Sequence, residues 1–229
     1  MCGRFTLSAE REELEKAFSG LAMPEAAGGR FNVAPAQSTV IVRRSPSGGR
    51  EAVMCRWGLV PRWADDPAMG YRLINARAET VGRRPAFRDS FRSRRCLVPA
   101  DGFYEWLKPP GARARRPVFF RLRSGEIFAF AGLWDEWRRE ATVLRTFTII
   151  TCPANELVRR VHDRMPVILR AGAEWDRWLS EPAMELLRPL PAELMEGWLV
   201  DPRVNNPAVD DAGCVERAGE VPQAGDFGG

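Results

Sequence analysis

The chain has 229 residues, 45% of them hydrophobic and 28% charged, and a formal net charge of +4. That mixture excludes a disordered chain, and no apolar run approaches the roughly 20 residues that cross a bilayer as a helix. Five scattered cysteines (Cys2, Cys55, Cys96, Cys152, Cys214) with no CxxC pair exclude a disulfide framework and a zinc knuckle, and the N-terminus lacks signal-peptide order, so the expected compartment is the cytoplasm.

In chain order, Ser8 is placed to cap a helix over 8–20, with Leu14, Ala17, Phe18 and Leu21 at helical spacing. Extended runs follow at 39–44, 51–60, 94–107, 117–123, 126–137 and 145–151, separated by Gly, Pro and Ser breaks. Short helices are expected at 76–82, 85–93, 154–161, 172–180 and 182–188. The expected fold class is α+β, with a curled antiparallel sheet or barrel-like core and peripheral short helices. A single domain over 1–215 and a disordered tail over 216–229 complete this expectation. The basic run KPPGARARR (108–116) reads as a solvated hairpin tip, with a DNA-touching finger as the alternative.

All cations except Lys16 and Lys108 are arginine, whose planar fork grips phosphate. A GC-rich genome gives the same bias, so these arginines carry weight only beside other chemistry. Cys2 is the most informative position. Once Met1 is removed, its α-amine (ordinary pKa about 7.7–8.0) stands beside a thiol (about 8.5), and both have a nucleophilic fraction at neutral pH. The amine condenses with an aldehyde to an imine, and the thiol closes on the same carbon to give a thiazolidine.

Other residues supply proton handling. His162 is the only histidine and the one side chain that titrates near neutrality without perturbation. Strand alternation puts Glu105 on one face with Phe103 and Leu107, where it is either paired with an arginine or held in an apolar pocket with a raised pKa. Asn75 can orient a sugar hydroxyl or the terminal amine, or cap a following helix. Arg77 and Glu79 are placed for a local ion pair. Trp63, between Arg62 and ADDP, sits in a loop where an exposed ring can stack on an unpaired base.

The motifs MCGRF, FNVAP (31–35), RWGLVPRW (56–63), INARAET (74–80), FRSRRCLVPADGFYEW (91–106), ITCPAN (150–155) and VHDRMPVIL (161–169), with a VNNP echo at 204–207, resemble those of the SRAP family of abasic-site processing proteins. The resemblance implies the SRAP fold, self-processing removal of Met1, and covalent capture of abasic sites in single-stranded DNA. A β-elimination lyase activity is left open, and no metal or organic cofactor is implied. It also implies Cys2 as nucleophile, Asn75 as the residue that positions it, Glu105 as acid/base, and His162 as the group acting on the deoxyribose oxygen. Arg4, Arg77, Arg164 and Thr151 are implied phosphate contacts, and Pro35 with Trp63 a wedge against duplex beyond the lesion. The expected partner is abasic single-stranded DNA, met by a monomer at the nucleoid. Two other readings stay open: a cysteine peptidase acting on other proteins, and a non-covalent binder of single-stranded or modified-base DNA.

Overall fold

The computed structural model describes residues 2–111 and 113–222. Its strands are β1 (Phe5–Leu7), β2 (Arg30–Val33), β3 (Ser38–Arg44), β4 (Arg50–Trp57), β5 (Asn75–Arg77), β6 (Arg95–Ala100), β7 (Gly102–Leu107), β8 (Arg116–Leu122), β9 (Phe128–Arg139), β10 (Thr142–Pro153), β11 (Arg164–Pro166), β12 (Ile168–Leu169), β13 (Met195–Leu199) and β14 (Gly219–Glu220). The helices are short: α1 (Arg11–Ala17), α2 (Arg88–Ser93), α3 (Glu156–Arg159) and α4 (Ala173–Ser180).

Strands β10, β4, β3, β6 and β9 pair in that order, and β9 closes back on β10 to make a five-stranded barrel. Closure removes the free sheet edges that these Val-, Ile- and Phe-rich strands would otherwise expose. The barrel is mixed rather than purely antiparallel, because β10 runs parallel to both β4 and β5. A second sheet, ordered β14-β13-β8-β7-β1-β2, is antiparallel throughout. The α+β expectation with a barrel-like core therefore holds. Phe5 of β1 joins the two sheets, packing edge-on to Trp57 at 5.2 Å and Phe130 at 5.6 Å between ring centroids.

Several local expectations are corrected. The 94–107 run is two strands in different sheets, because Asp101 pins a corner between them: its carboxylate accepts from Thr6, Ser8 and the Ala9 N–H. Ser8 is thereby used up and caps nothing. Helix α1 instead starts after Glu10, whose N–H donates to the Glu13 carboxylate at 2.9 Å. The predicted helix at 76–82 is replaced by β5 and turns, since Asn75–Arg77 is captured by parallel pairing with Ile149–Thr151. Only a 3-10 turn, Met184–Leu186, forms within 182–188. The tail expected to be disordered begins with ordered pairing, Gly219 opposite Leu199, while residues 223–229 lie outside the described residues.

One contact sets where the loop after β4 can go. Gly58 has φ of +118°, and a Cβ there would stand 2.6 Å from the Gly70 carbonyl oxygen; a Cβ on Gly70 would meet the Gly58 oxygen at 2.7 Å. Gly58→Ala is therefore expected to cost about 2 kcal/mol or more and to lower the melting temperature by several degrees. A circular-dichroism melt that superimposes on the native one would refute this back-to-back packing.

Candidate functional site

The N-terminal segment reaches the middle of the molecule because β1 lies between β2 and β7. The pairing Phe5 with Phe103 and Thr6 with Gly102 is continued by the Tyr104 N–H donating to the Arg4 carbonyl at 3.0 Å. Cys2, two residues before Arg4, thereby enters the core close enough to Glu105 for that carboxylate's charge to act on its thiol. Cys2 is fully buried, with its thiol directed at the Arg4 carbonyl at 3.9 Å. Burial, reinforced by the negative charge of Glu105, pushes the thiol far above its ordinary value. In this form the thiol is protonated and enclosed.

Glu105 shares the inward face with Phe103 and Leu107, while Tyr104 faces the opposite cluster with Phe119 and Trp198. Of the two situations open at sequence level, burial dominates: Glu105 is 3% exposed and its carboxyl is pushed up to about 7. The negative charge of Asp163 adds to that rise. A carboxyl titrating near 7 is poised both to give and to take a proton.

Asn75 sits at the start of β5, where pairing with Ile149 fixes its backbone. Its side-chain amide donates to the Cys2 carbonyl at 2.7 Å, and its Oδ1 is buried without a hydrogen-bond partner among the described residues. No helix follows for it to cap. His162 lies just past α3, its N–H donating to the Val158 carbonyl at 2.9 Å. Its Nδ1 accepts the Arg164 N–H at 3.0 Å, so the neutral ring carries its proton on Nε2. Asp163 also stands 2.9 Å from Nδ1, but two hydrogen-bond acceptors cannot face one another. The backbone bond sets the neutral tautomer, because Asp163 is largely solvated. Burial lowers the His162 pKa, which favours that neutral form.

The cationic residues divide sharply. Arg77 is exposed, with no ion pair among the described residues. Its expected partner Glu79 is instead held by Arg164, whose Nη2 meets Glu79 Oε2 at 3.0 Å and donates to the Thr151 carbonyl at 2.6 Å. That contact holds the Glu79 carboxyl below its ordinary range. Thr151 is fully buried, its hydroxyl toward Ala76 and Arg164, so it braces Arg164 and presents no hydroxyl to solvent. Arg4 is partly buried and tied inward: its Nη1 donates to Asn32 Oδ1 and the Val204 carbonyl, both at 2.7 Å. Pro35 is partly buried, and the Trp63 ring is 48% exposed.

Sequence reasoning missed Asn32, although it lies in FNVAP. Its amide gathers the Val204, Asn206 and Val209 carbonyls at 3.2, 3.1 and 2.6 Å, fastening the VNNP segment onto β2 beside Arg4. A concavity of about 940 Å³ lined by Glu13, Lys16, Leu122 and Arg170 contains none of these residues, and we place the chemistry at the Cys2 cluster because the polar groups converge there. Among the described residues no group of three or more His, Cys, Asp or Glu is arranged to hold a metal, and no helix is long and apolar enough to cross a membrane.

Comparison with known proteins gives a consistent result. Residues 1–207 match the family described as SOS response associated peptidase (SRAP). The chain is 40% identical over 225 residues to the abasic site processing protein YoqW of Bacillus subtilis, covering 94% of this chain and 99% of that protein. It is 32% identical over 188 residues to the abasic site processing protein HMCES of Gallus gallus, covering 70% of this chain and 55% of that longer protein. A crystal structure of a protein from Bacteroides thetaiotaomicron superimposes with a TM-score of 0.83 at 26% identity, covering 95% of this chain and all of that one.

Proposed function

The chain belongs to the SOS response associated peptidase family, and from that premise we propose that it captures abasic sites in single-stranded DNA as a covalent adduct on Cys2. The observation that carries the reading is the convergence on Cys2 of an amide anchoring its carbonyl and a buried carboxyl titrating near 7. In this reading Met1 is removed by self-cleavage, and the freed α-amine attacks the ring-opened deoxyribose aldehyde while the His162 Nε2–H polarises its oxygen. Glu105 in its acid form protonates the departing hydroxyl, which leaves as water. The Cys2 thiol then adds across the resulting C=N bond; its sulfur bonds the carbon, the nitrogen keeps the electron pair, and Glu105 relays the proton. The product is a thiazolidine, and the overall loss is one water.

Arg77 and the Trp63 ring are the exposed groups suited to phosphate and base, with Pro35 beside the strand path. Arg164 reaches phosphate only by sharing its guanidinium with Glu79, and Arg4 and Thr151 support the site from within. The protein acts as a monomer on the DNA that it meets. Incubation with single-stranded DNA carrying one abasic site, followed by a denaturing gel and intact mass, should give a shifted band weighing protein without Met1 plus DNA less one water. Intact DNA should give none. Absence of the adduct, together with turnover of added peptides, would favour a general cysteine peptidase instead.

A further inference from the structure

We propose that Asp135, a buried residue of β9, is a positioning residue that holds Trp63 outward for stacking on the DNA strand. This rests on the assignment of Trp63 to the DNA-facing edge. The loop 60–64 is fastened to the barrel on both sides of Trp63. The Val60 N–H donates to Thr146 Oγ1 at 2.8 Å, and the Ala64 N–H closes a turn on the Pro61 carbonyl at 2.8 Å. The Ala64 carbonyl accepts from Trp137 Nε1 at 2.8 Å and from Arg139 Nη2 at 3.2 Å.

Asp135 closes the remaining gap. Its carboxylate, 3% exposed, accepts the Arg62 N–H at 3.1 Å, Arg62 Nε at 3.2 Å and Arg62 Nη2 at 3.1 Å, and forms an ion pair with Arg94, whose Nε stands 3.1 Å from the same Oδ1 that the Arg62 guanidinium meets. The backbone and the side chain of the residue immediately before Trp63 are thus locked to the barrel wall. The Trp63 ring alone is left out, half exposed and without a hydrogen bond among the described residues. Val60, Ala64 and Trp137 pack as an apolar footing beneath the loop. Buried ion clusters add little net stability over apolar packing, but they impose geometry. On so constrained a loop only the rotamers of the ring itself remain to be ordered when a base stacks on it.

The test uses a single-stranded oligonucleotide with a tetrahydrofuran abasic analogue, which has no aldehyde, so binding is read by fluorescence anisotropy independently of capture. Trp63→Ala is expected to raise Kd about tenfold, the scale of one lost stacking contact. Asp135→Asn and Arg62→Ala are each expected to raise it several-fold, and neither should raise it further when combined with Trp63→Ala. If Asp135→Asn melts early, Arg62→Ala, which keeps the Arg94 pair, decides. Full additivity with Trp63→Ala, or an unchanged Kd in folded Arg62→Ala, overturns the positioning role. An unchanged Kd in Trp63→Ala overturns it too, while leaving the covalent reading to be judged by the aldehyde-bearing substrate.

Discussion

Replacing Cys2 with alanine is expected to abolish the heat-stable adduct with abasic single-stranded DNA, whereas sodium borohydride added during incubation should restore a band. The two halves of the result separate the two nucleophiles. The alanine variant, if Met1 is still removed, keeps an α-amine and the Asn75 bond to the carbonyl at the second position, so an imine still forms and is trapped by reduction. Without the thiol there is no ring closure, and water returns the imine to aldehyde and amine. The intermediate case, Cys2→Ser, should give an adduct that decays faster than the native one, because an alkoxide is harder to form than a thiolate and leaves an oxygen-containing ring that opens more readily. A reduction-independent band from the alanine variant would transfer the chemistry to another residue and sink the thiazolidine reading. Because the thiol is wholly enclosed and held far above its ordinary pKa in the form described, intact-mass measurement of Met1 must accompany the gel. A chain that retains Met1 should be silent in both conditions.

How much of this was legible in the sequence depended on whether the cause lay nearby in the chain. Alternation alone put Glu105 with Phe103 and Leu107, because side chains on a strand point to opposite faces whatever the strand pairs with. It could not say which of burial or an arginine controls the carboxyl, since that depends on β1 arriving alongside. The corner at Asp101 was invisible for a related reason: the three groups that its carboxylate gathers belong to residues 6–9, far off in sequence. Gly102 beside it is dictated by packing across strands, since a Cβ there would stand 2.2 Å from the Phe119 ring.

The arginines show the same limit more sharply. Arg4, Arg77 and Arg164 look alike as cations in motifs, yet only Arg77 is open to solvent without a fixed partner among the described residues. Arg164 took the carboxylate that proximity had assigned to Arg77, because β10 and β11 pair and bring Arg164 across from Pro153 at the edge that Glu79 borders. Asp135 had no local signal at all. It lies between Trp134 and Glu136 where the apolar run of β9 gives way to charged residues, and its partners Arg62 and Arg94 come from separate loops.

Glu105→Gln is expected to cut the rate of adduct formation by about a hundredfold or more, while making the folded protein more stable at alkaline pH. The stability sign follows from the direction of the shift. The folded carboxyl titrates at about 7 against an ordinary value of 4.5, so the folded state holds its proton more tightly than the unfolded chain does. That contribution is fully present below pH 4.5, drains away as pH rises toward 7, and is gone above it. At 1.36 kcal/mol per unit the loss is about 3 kcal/mol, which glutamine, lacking a charge to bury, does not suffer. Thermal melts should therefore coincide near pH 4.5 and separate by several degrees in favour of the variant at pH 8. The rate should respond on the same axis. Native capture needs the α-amine unprotonated and Glu105 protonated, giving a bell-shaped profile, and glutamine should erase its alkaline limb. A variant that melts lower than the native chain at pH 8 would mean that the Glu105 carboxyl is not held above its ordinary pKa in the fold, and its place as the acid of the dehydration step would pass to His162.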